Sequence, residues 1–348
     1  MPGPVESLFG IDVPIMLGPF GGLSSIELTA AVSDRGGLGS YGLYGYTPER
    51  IHQAIAQLRA ATPRPFAVNL WLPTGDEVTP GEVDLQPALT ALAPLYAAVG
   101  VTPPEPPSAF LPDIDGQIEA VMDAAPAVLS VVYGVPGPAV VAAARDRGIR
   151  LIGTATTVAE AVALEASGVD AIVASGSEAA GHRVSFLRPA EDSLVGTFAL
   201  VPQVADAVDV PVLAAGGIAD RRGVAAAFAL GASGVVVGTA FLRTRQSAAT
   251  NAHRDAITRA ADTDTVLTRA MSGRLARGIP NRAMRAIETS GVIAPFPAQN
   301  WLTGVFRAEA GRRGDGDLVS LWAGQSAALE VHDDADEVFR ELQAGLPR

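Results

Sequence analysis

Eight short apolar runs, at residues 13–17, 38–41, 66–70, 128–132, 150–153, 171–174, 211–214 and 234–237, alternate with Ala-rich stretches almost to the end of the chain. Several are continuous in Val, Ile, Leu and Ala, as parallel strands covered on both faces require. The stretches 24–35, 48–61, 137–147, 158–167, 201–207 and 221–230 read as helices, and Gly36, Gly148, Gly168 and Gly231 stand where helices end. Eight successive β-α units favour an α/β fold of the closed (β/α)8, or TIM, barrel type over an open doubly wound sheet.

A barrel of this kind takes ~250 residues, and the chain has 348. Two segments fall outside the repeat. Residues 73–116 contain Pro103-Pro104-Glu105-Pro106-Pro107, too proline-rich for a helix, and read as one helix (84–99) followed by an extended loop. Residues 245–304 lie beyond the eighth strand. Loops at the C-terminal ends of barrel strands surround the active site, so both segments are candidates for a mostly helical lid. The expected division is a barrel over 1–245 with the insertion 73–116, a substrate-covering segment over 246–304, and a C-terminal segment over 305–348 that returns to the barrel. That last segment ends in a helical stretch at 335–342.

Charge and composition narrow the function classes. The net charge is −12 with no basic block, so no nucleic-acid surface is expected. With no cysteine there is no thiolate ligand or Cys nucleophile, and no His pair has metal-binding spacing, so no metal is expected. The first ten residues lack the basic-then-apolar pattern of a signal peptide. The uncharged windows 124–144 and 223–242 are broken by Pro or Gly and read as buried core rather than membrane spans. The expected location is the cytoplasm.

Chemistry concentrates at strand ends. Gly216-Gly217 and Gly238-Thr239 follow the seventh and eighth runs, where barrels commonly hold phosphate because glycine lets backbone N–H groups approach an anion. Asp220 then reads as the N-cap of the next helix. Of four histidines, only His182 follows a buried strand at this face, in Gly176-Ser177-Glu178-Ala179-Ala180-Gly181-His182-Arg183. An imidazole with an ordinary pKa of ~6.5 serves as a base near neutrality, and Glu178 either orients it or caps a turn. Asn69, ending the third strand, can donate to and accept from a planar heterocycle. The loop Gly18-Pro19-Phe20-Gly21-Gly22 lets backbone approach a flat ring. The plainer account of these residues is that the glycines end strands and the asparagine turns a loop.

These motifs resemble the nitronate monooxygenase family, once called 2-nitropropane dioxygenases. The resemblance is carried by Gly18–Gly22, Gly36-Gly37-Leu38-Gly39, Pro65-Phe66-Ala67-Val68-Asn69-Leu70, the stretch ending in His182-Arg183, Val201-Pro202-Gln203-Val204, Ala214–Asp220 and Gly238–Leu242. Ser272–Gly278 and Leu321-Trp322-Ala323-Gly324-Gln325 look like its longer, class I branch. The resemblance implies FMN held by Gly18, Pro19, Phe20, Gly21, Asn69, Ser175, Gly181, Ala215, Gly216, Gly217, Gly238, Thr239 and Gln325. It makes His182 the catalytic residue and places Gly22 and Phe296 in the substrate pocket. The implied reaction is oxidation of an alkyl nitronate by O2 to a carbonyl compound and nitrite. The partners are then a small nitronate or nitroalkane and O2, with a homodimer left open. An NAD(P)H-dependent FMN enoyl reductase and a flavin-binding protein without turnover are the alternatives.

Three positions depart from the family pattern. Ala180 replaces a glycine, Ser175 stands where Gln is expected, and Phe296 stands where tyrosine is common. A methyl at 180 crowds the turn or demands a different backbone angle, and loss of the hydroxyl at 296 makes the pocket more apolar. A narrow cavity with a cationic or hydroxyl group would suit a small nitronate, and a long apolar channel an acyl chain.

Overall fold

The computed structural model describes residues 3–347. Among the described residues there are eleven strands: β1 (Ile15–Leu17), β2 (Gly39–Gly42), β3 (Phe66–Trp71), β4 (Val128–Val132), β5 (Arg150–Ala155), β6 (Ala171–Ser175), β7 (Gly181–His182), β8 (Val212–Ala215), β9 (Gly234–Val237), β10 (Val266–Thr268) and β11 (Ala276–Gly278). Eight pair in parallel in the order β1-β9-β8-β6-β5-β4-β3-β2. The ring is completed where Met16 bridges Leu38, with Leu17 N–H donating to Leu38 O at 2.9 Å. The expected (β/α)8 barrel is therefore what forms.

Period-two alternation divides the strands between two cores. Ile15, Val68, Leu129, Val131 and Val235 face the surrounding helices. Met16, Ala67, Val128, Ile152 and Leu213 face inward and pack with Val5 and Phe9 of an N-terminal helix, Pro4–Phe9, which plugs one end of the barrel. Burying side chains of this size contributes ~1.5–3 kcal/mol each against chain entropy. Helices Pro48–Ala61 and Val158–Ser167 begin where the Thr47 and Thr157 hydroxyls accept the Arg50 and Glu160 N–H groups. The helix expected at 201–207 instead spans Thr197–Ala205. Its first N–H, at Thr197, donates to the Glu178 carboxylate at 2.8 Å, a distant contact that starts the helix before Pro202.

A second core lies outside the barrel. The helix Gln86–Val99 of the insertion packs on the helix Ala298–Arg313, with Leu92, Tyr96, Met271, Leu302 and Phe306 buried together. Tyr96 OH donates to Leu302 O at 2.6 Å, fixing the register of the two helices. Beyond the insertion's extended loop, residues Ile114–Ala124 form a further helix that the sequence reading leaves unassigned. The C-terminal helix Ala335–Gln343 buries Val338, Phe339 and Leu342 in the outer barrel core. No helix among the described residues is long and apolar enough to cross a membrane.

Candidate active site

A cavity of about 260 Å3 opens at the C-terminal ends of the barrel strands. Its floor comes from alternate inward residues: Asn69 and Trp71 of β3, Ser130 and Val132 of β4, Val173 and Ser175 of β6. One end is built of backbone. Gly216 and Gly217 have φ of +100° and +75°, the left-handed region that favours glycine. A Cβ on Gly216 would stand 2.9 Å from Thr197 Oγ1 and 3.1 Å from Ala179 N. Among the described residues the Gly217, Gly238 and Thr239 N–H groups donate to no atom of the chain, which leaves them free for an anion. Asp220 caps the following helix, accepting from Arg222 N at 2.8 Å.

The C-terminal segment closes this end. Gly324 N donates to Thr239 Oγ1 at 3.0 Å, Gln325 N to Glu178 O at 3.0 Å, and Ser326 Oγ to Gly217 O at 2.8 Å. Glu178 serves this scaffold rather than His182: its carboxylate accepts from Thr197 N and Oγ1, and the Thr197 hydroxyl also lies 2.9 Å from Gly216 O.

His182 lies on β7, which pairs through β11 into a small antiparallel sheet, with His182 opposite Ala276. The neighbouring Arg183 is buried and donates to Gly176 O at 2.6 Å and Ser175 O at 2.9 Å, which fixes the end of β6 beneath the histidine. The imidazole is half-buried in the cavity wall, edge-on to Trp71 at 4.9 Å between centroids and 5.5 Å from Trp322. Its Nε2 is 2.8 Å from Ser272 Oγ, and Nδ1 has no partner among the described residues. Desolvation, reinforced by the Arg274 and Arg307 charges, pushes its pKa down to about 3, so the ring is neutral at physiological pH. His253, behind Trp322, is a buried structural residue: its Nε2 lies 2.9 Å from Trp322 O, and burial pushes it down to about 4. His52 is exposed, and half-buried His332 lies 3.4 Å from Glu337.

The other end of the cavity is aromatic and cationic. Behind the Phe296 side of this wall, outside the cavity lining, Arg274 lies between the Tyr133 and Phe296 rings, at 4.4 and 4.0 Å from their centroids. It bonds Glu77 at 2.6 Å, and also Asp76 and Thr74, which ties the insertion to the site. Burial alone would raise the Glu77 carboxyl, but the Thr74 N–H and Arg274 outweigh it and hold the group below its usual range. Arg307, on the helix Ala298–Arg313, is the cation of the cavity lining, with Asn300 and Tyr44 beside it. Tyr133 has a φ of +70° and a buried hydroxyl without a partner, backbone strain adjoining the site.

Gly18, Pro19, Phe20, Gly21, Asn69, Ser175, Gly181, His182, Ala215, Gly216, Gly217, Gly238, Thr239 and Phe296 all line this one cavity. Gly22 and Gln325 do not. Gly22 is exposed, at a φ of +74°, and Gln325 is exposed and contributes only its backbone N–H to Glu178. Asn69 is buried, with Nδ2 held by Ser130 O and Oγ at 3.2 and 2.9 Å. Ala180 needs no unusual backbone, because the left-handed residue of its turn is Gly181 at +72°. The hydroxyl lacking at Phe296 is supplied elsewhere in the wall by Tyr44, 3.1 Å from Asn300 Nδ2. Sequence reasoning missed Trp71, Tyr44, Arg274, Asn300 and Arg307. Trp71 had a signal, since it follows Asn69 by two on one strand and so shares its face. The others come from segments whose approach only the fold reveals.

A TIM barrel with a histidine and free backbone donors at its C-terminal face belongs to a broad class of enzymes. The family model for nitronate monooxygenase matches residues 4–344. A probable nitronate monooxygenase of Staphylococcus aureus is 38% identical over 340 residues, 97% of this chain and 95% of the relative. Nitroalkane oxidase from Streptomyces ansochromogenes superposes with a TM-score of 0.87 at 35% identity, over 98% of this chain and 97% of that one. FabK from Thermotoga maritima gives a TM-score of 0.77 at 29% identity, over 98% and 95%. The chain belongs to the nitronate monooxygenase family and is an oxidoreductase.

Proposed function

We propose that this enzyme is an FMN-dependent nitronate monooxygenase, oxidising alkyl nitronates with O2 to a carbonyl compound and nitrite, with His182 as its catalytic residue. The observation that carries this reading is a neutral imidazole with an unpartnered Nδ1, in a cavity whose far end presents free backbone N–H groups. The residues fit the cofactor. Gly217, Gly238 and Thr239 would hold its phosphate, while Asn69, Ser175 and Ala215 would lie along its ring system. Gly18 admits the close approach of two loops, since a Cβ there would come 3.2 Å from Gly238 Cα.

Bound FMN would supply the redox chemistry, taking electrons from the nitronate and passing them to O2. The overall balance is two nitronate ions and one O2 giving two carbonyl compounds and two nitrite ions. The chain's own part begins at His182. The hydrogen-bond network assigns Nε2–H as donor to Ser272 Oγ, whose hydroxyl donates to Arg274 O at 3.2 Å. Nδ1 is then the bare acceptor of the site and takes the α-proton of a substrate that arrives as the neutral nitroalkane. With its conjugate acid so disfavoured, it is a weak base, which suits a substrate already ionised.

Protein reconstituted with FMN is expected to consume O2 and release nitrite on a panel of alkyl nitronates. Bound flavin with no nitrite from any of them would refute the reading. A pyridine-nucleotide-dependent enoyl reductase draws support from the aromatic side of the cavity, where Trp71, Phe296 and Trp322 gather. Rapid anaerobic bleaching of the flavin by NADH or NADPH would favour it.

A further inference from the structure

The two guanidinium groups facing His182 are balanced in opposite ways. Arg274 is neutralised within the chain by Asp76 and Glu77. Arg307 has only neutral partners: Nη1 donates to Ser320 Oγ at 2.9 Å, and Nη2 to the carbonyl and Oδ1 of Asn300 at 3.0 and 2.7 Å. Its Nε is buried with no acceptor, and no carboxylate among the described residues forms an ion pair with it. The chain has 37 acidic residues against 25 basic ones, so a carboxylate partner is not missing for want of acids. A desolvated cation with neutral partners is unfavourable until an anion completes it. His182, neutral beside it, offers no counter-charge, while the Tyr44 hydroxyl, which accepts from Asn300, keeps its own proton for a ligand.

We propose that Arg307 is the anion-selecting residue of this site. With Asn300 and Tyr44 it receives a planar monoanion with two oxygens, either the nitronate group itself or a carboxylate on the same substrate. It therefore favours the ionised nitronate over the neutral nitroalkane. The inference rests on the nitronate reading above, but it concerns recognition and can fail separately.

The test compares FMN-loaded wild type, Arg307→Lys and Arg307→Met. Steady-state rates are measured on simple alkyl nitronates and on a nitronate that also carries a carboxylate. Calorimetric titrations use propionate and its neutral isostere propionamide. Arg307→Met is expected to raise KM for nitronates and weaken propionate by about 10- to 100-fold, as loss of a charge-assisted hydrogen bond would. Propionamide should bind as before, and Arg307→Lys should retain part of the anion affinity. A loss on simple alkyl nitronates assigns Arg307 to the nitronate group, and a loss confined to the carboxylate-bearing substrate assigns it to the second anion. Should Arg307→Met lose flavin, Arg307→Gln, which can still meet Asn300 and Ser320, reads the same difference. Wild-type KM and propionate affinity in a variant with normal flavin content would overturn the proposal. If wild type released no nitrite, yet propionate binding still depended on Arg307, the anion site would stand and the reaction reading would fall.

Discussion

The two ends of the cavity are built from different materials. At one end Gly216, Gly217, Gly238 and Thr239 present backbone, on turns that any side chain at Gly216 would disturb. At the other, side chains from four separated segments meet, Tyr44, Trp71, His182 and Arg307, with Arg274 behind them. The backbone end tolerates little variation, because its left-handed turns favour glycine and a Cβ at Gly216 would meet Thr197. The side-chain end can change its chemistry by single substitutions without touching the barrel. On the proposed function, cofactor holding and substrate choice would be separated along one cavity, and mutations at the two ends should fail in different ways.

The largest expected effect is at the side-chain end. His182→Ala should lower turnover of neutral nitroalkanes by ~10², the low end of the range for a lost general base because this ring is a weak one, while FMN content stays near wild type. Gly216→Val should do the reverse. Its Cβ would lie 2.9 Å from Thr197 Oγ1 at a φ of +100°, a strain of ~1–3 kcal/mol, so flavin affinity should drop about tenfold or more, as that strain predicts. Spectroscopic flavin content and turnover per bound flavin separate the two. Equal losses of both quantities in both variants would erase the distinction between the ends.

The same division explains what could be read from the sequence. The barrel was legible because continuous apolar runs and helix caps are local: the run at 66–70 became Phe66–Trp71, and the capped helices at 48–61 and 158–167 kept their bounds. β1 is shorter than its run, 15–17 rather than 13–17, because Pro14 has no N–H to donate and Val13 N–H goes to Gly36 O. The glycine turns were legible because left-handed backbone selects a residue type. Arg307 was not, since Arg307, Arg312 and Arg313 share one helix and only the fold shows which is enclosed among neutral partners. The small sheet of β7, β10 and β11 was hidden for a similar reason: its strands have two or three residues, and β7 pairs with β11 across about ninety positions.

A smaller effect should appear in acid. His182 and His253 are held neutral, with pKa values near 3 and 4 in the folded protein, against ~6.5 in an unfolded chain. Between those values the unfolded state binds more protons, so stability is full above pH 6.5 and falls as pH drops. Each histidine should cost about 2 kcal/mol by pH 5. Denaturant unfolding at pH 7 and pH 5 measures the sum, and His253→Gln should remove close to half of the difference. A pH-independent stability over that interval would show that the two rings are not held neutral as the cavity and its backing suggest.

The smallest effect concerns how the insertion is fastened to the side-chain end. Glu77→Gln removes one of two carboxylates on Arg274 but leaves Asp76 and the Tyr133–Phe296 sandwich in place. Because Glu77 is held below the usual carboxylate range, its pairing is present at neutral pH and is lost as pH falls through its folded value. The substitution should therefore cost about 1 kcal/mol at pH 7 and less in strong acid, where the wild-type carboxyl is itself protonated. Turnover per flavin should stay within a few-fold, because Arg274 only borders the reacting space and its charge remains paired. A loss of nitronate affinity as large as that of Arg307→Met would mean that the two arginines share the anion, and that the contrast between a neutralised and a free guanidinium does not govern substrate choice.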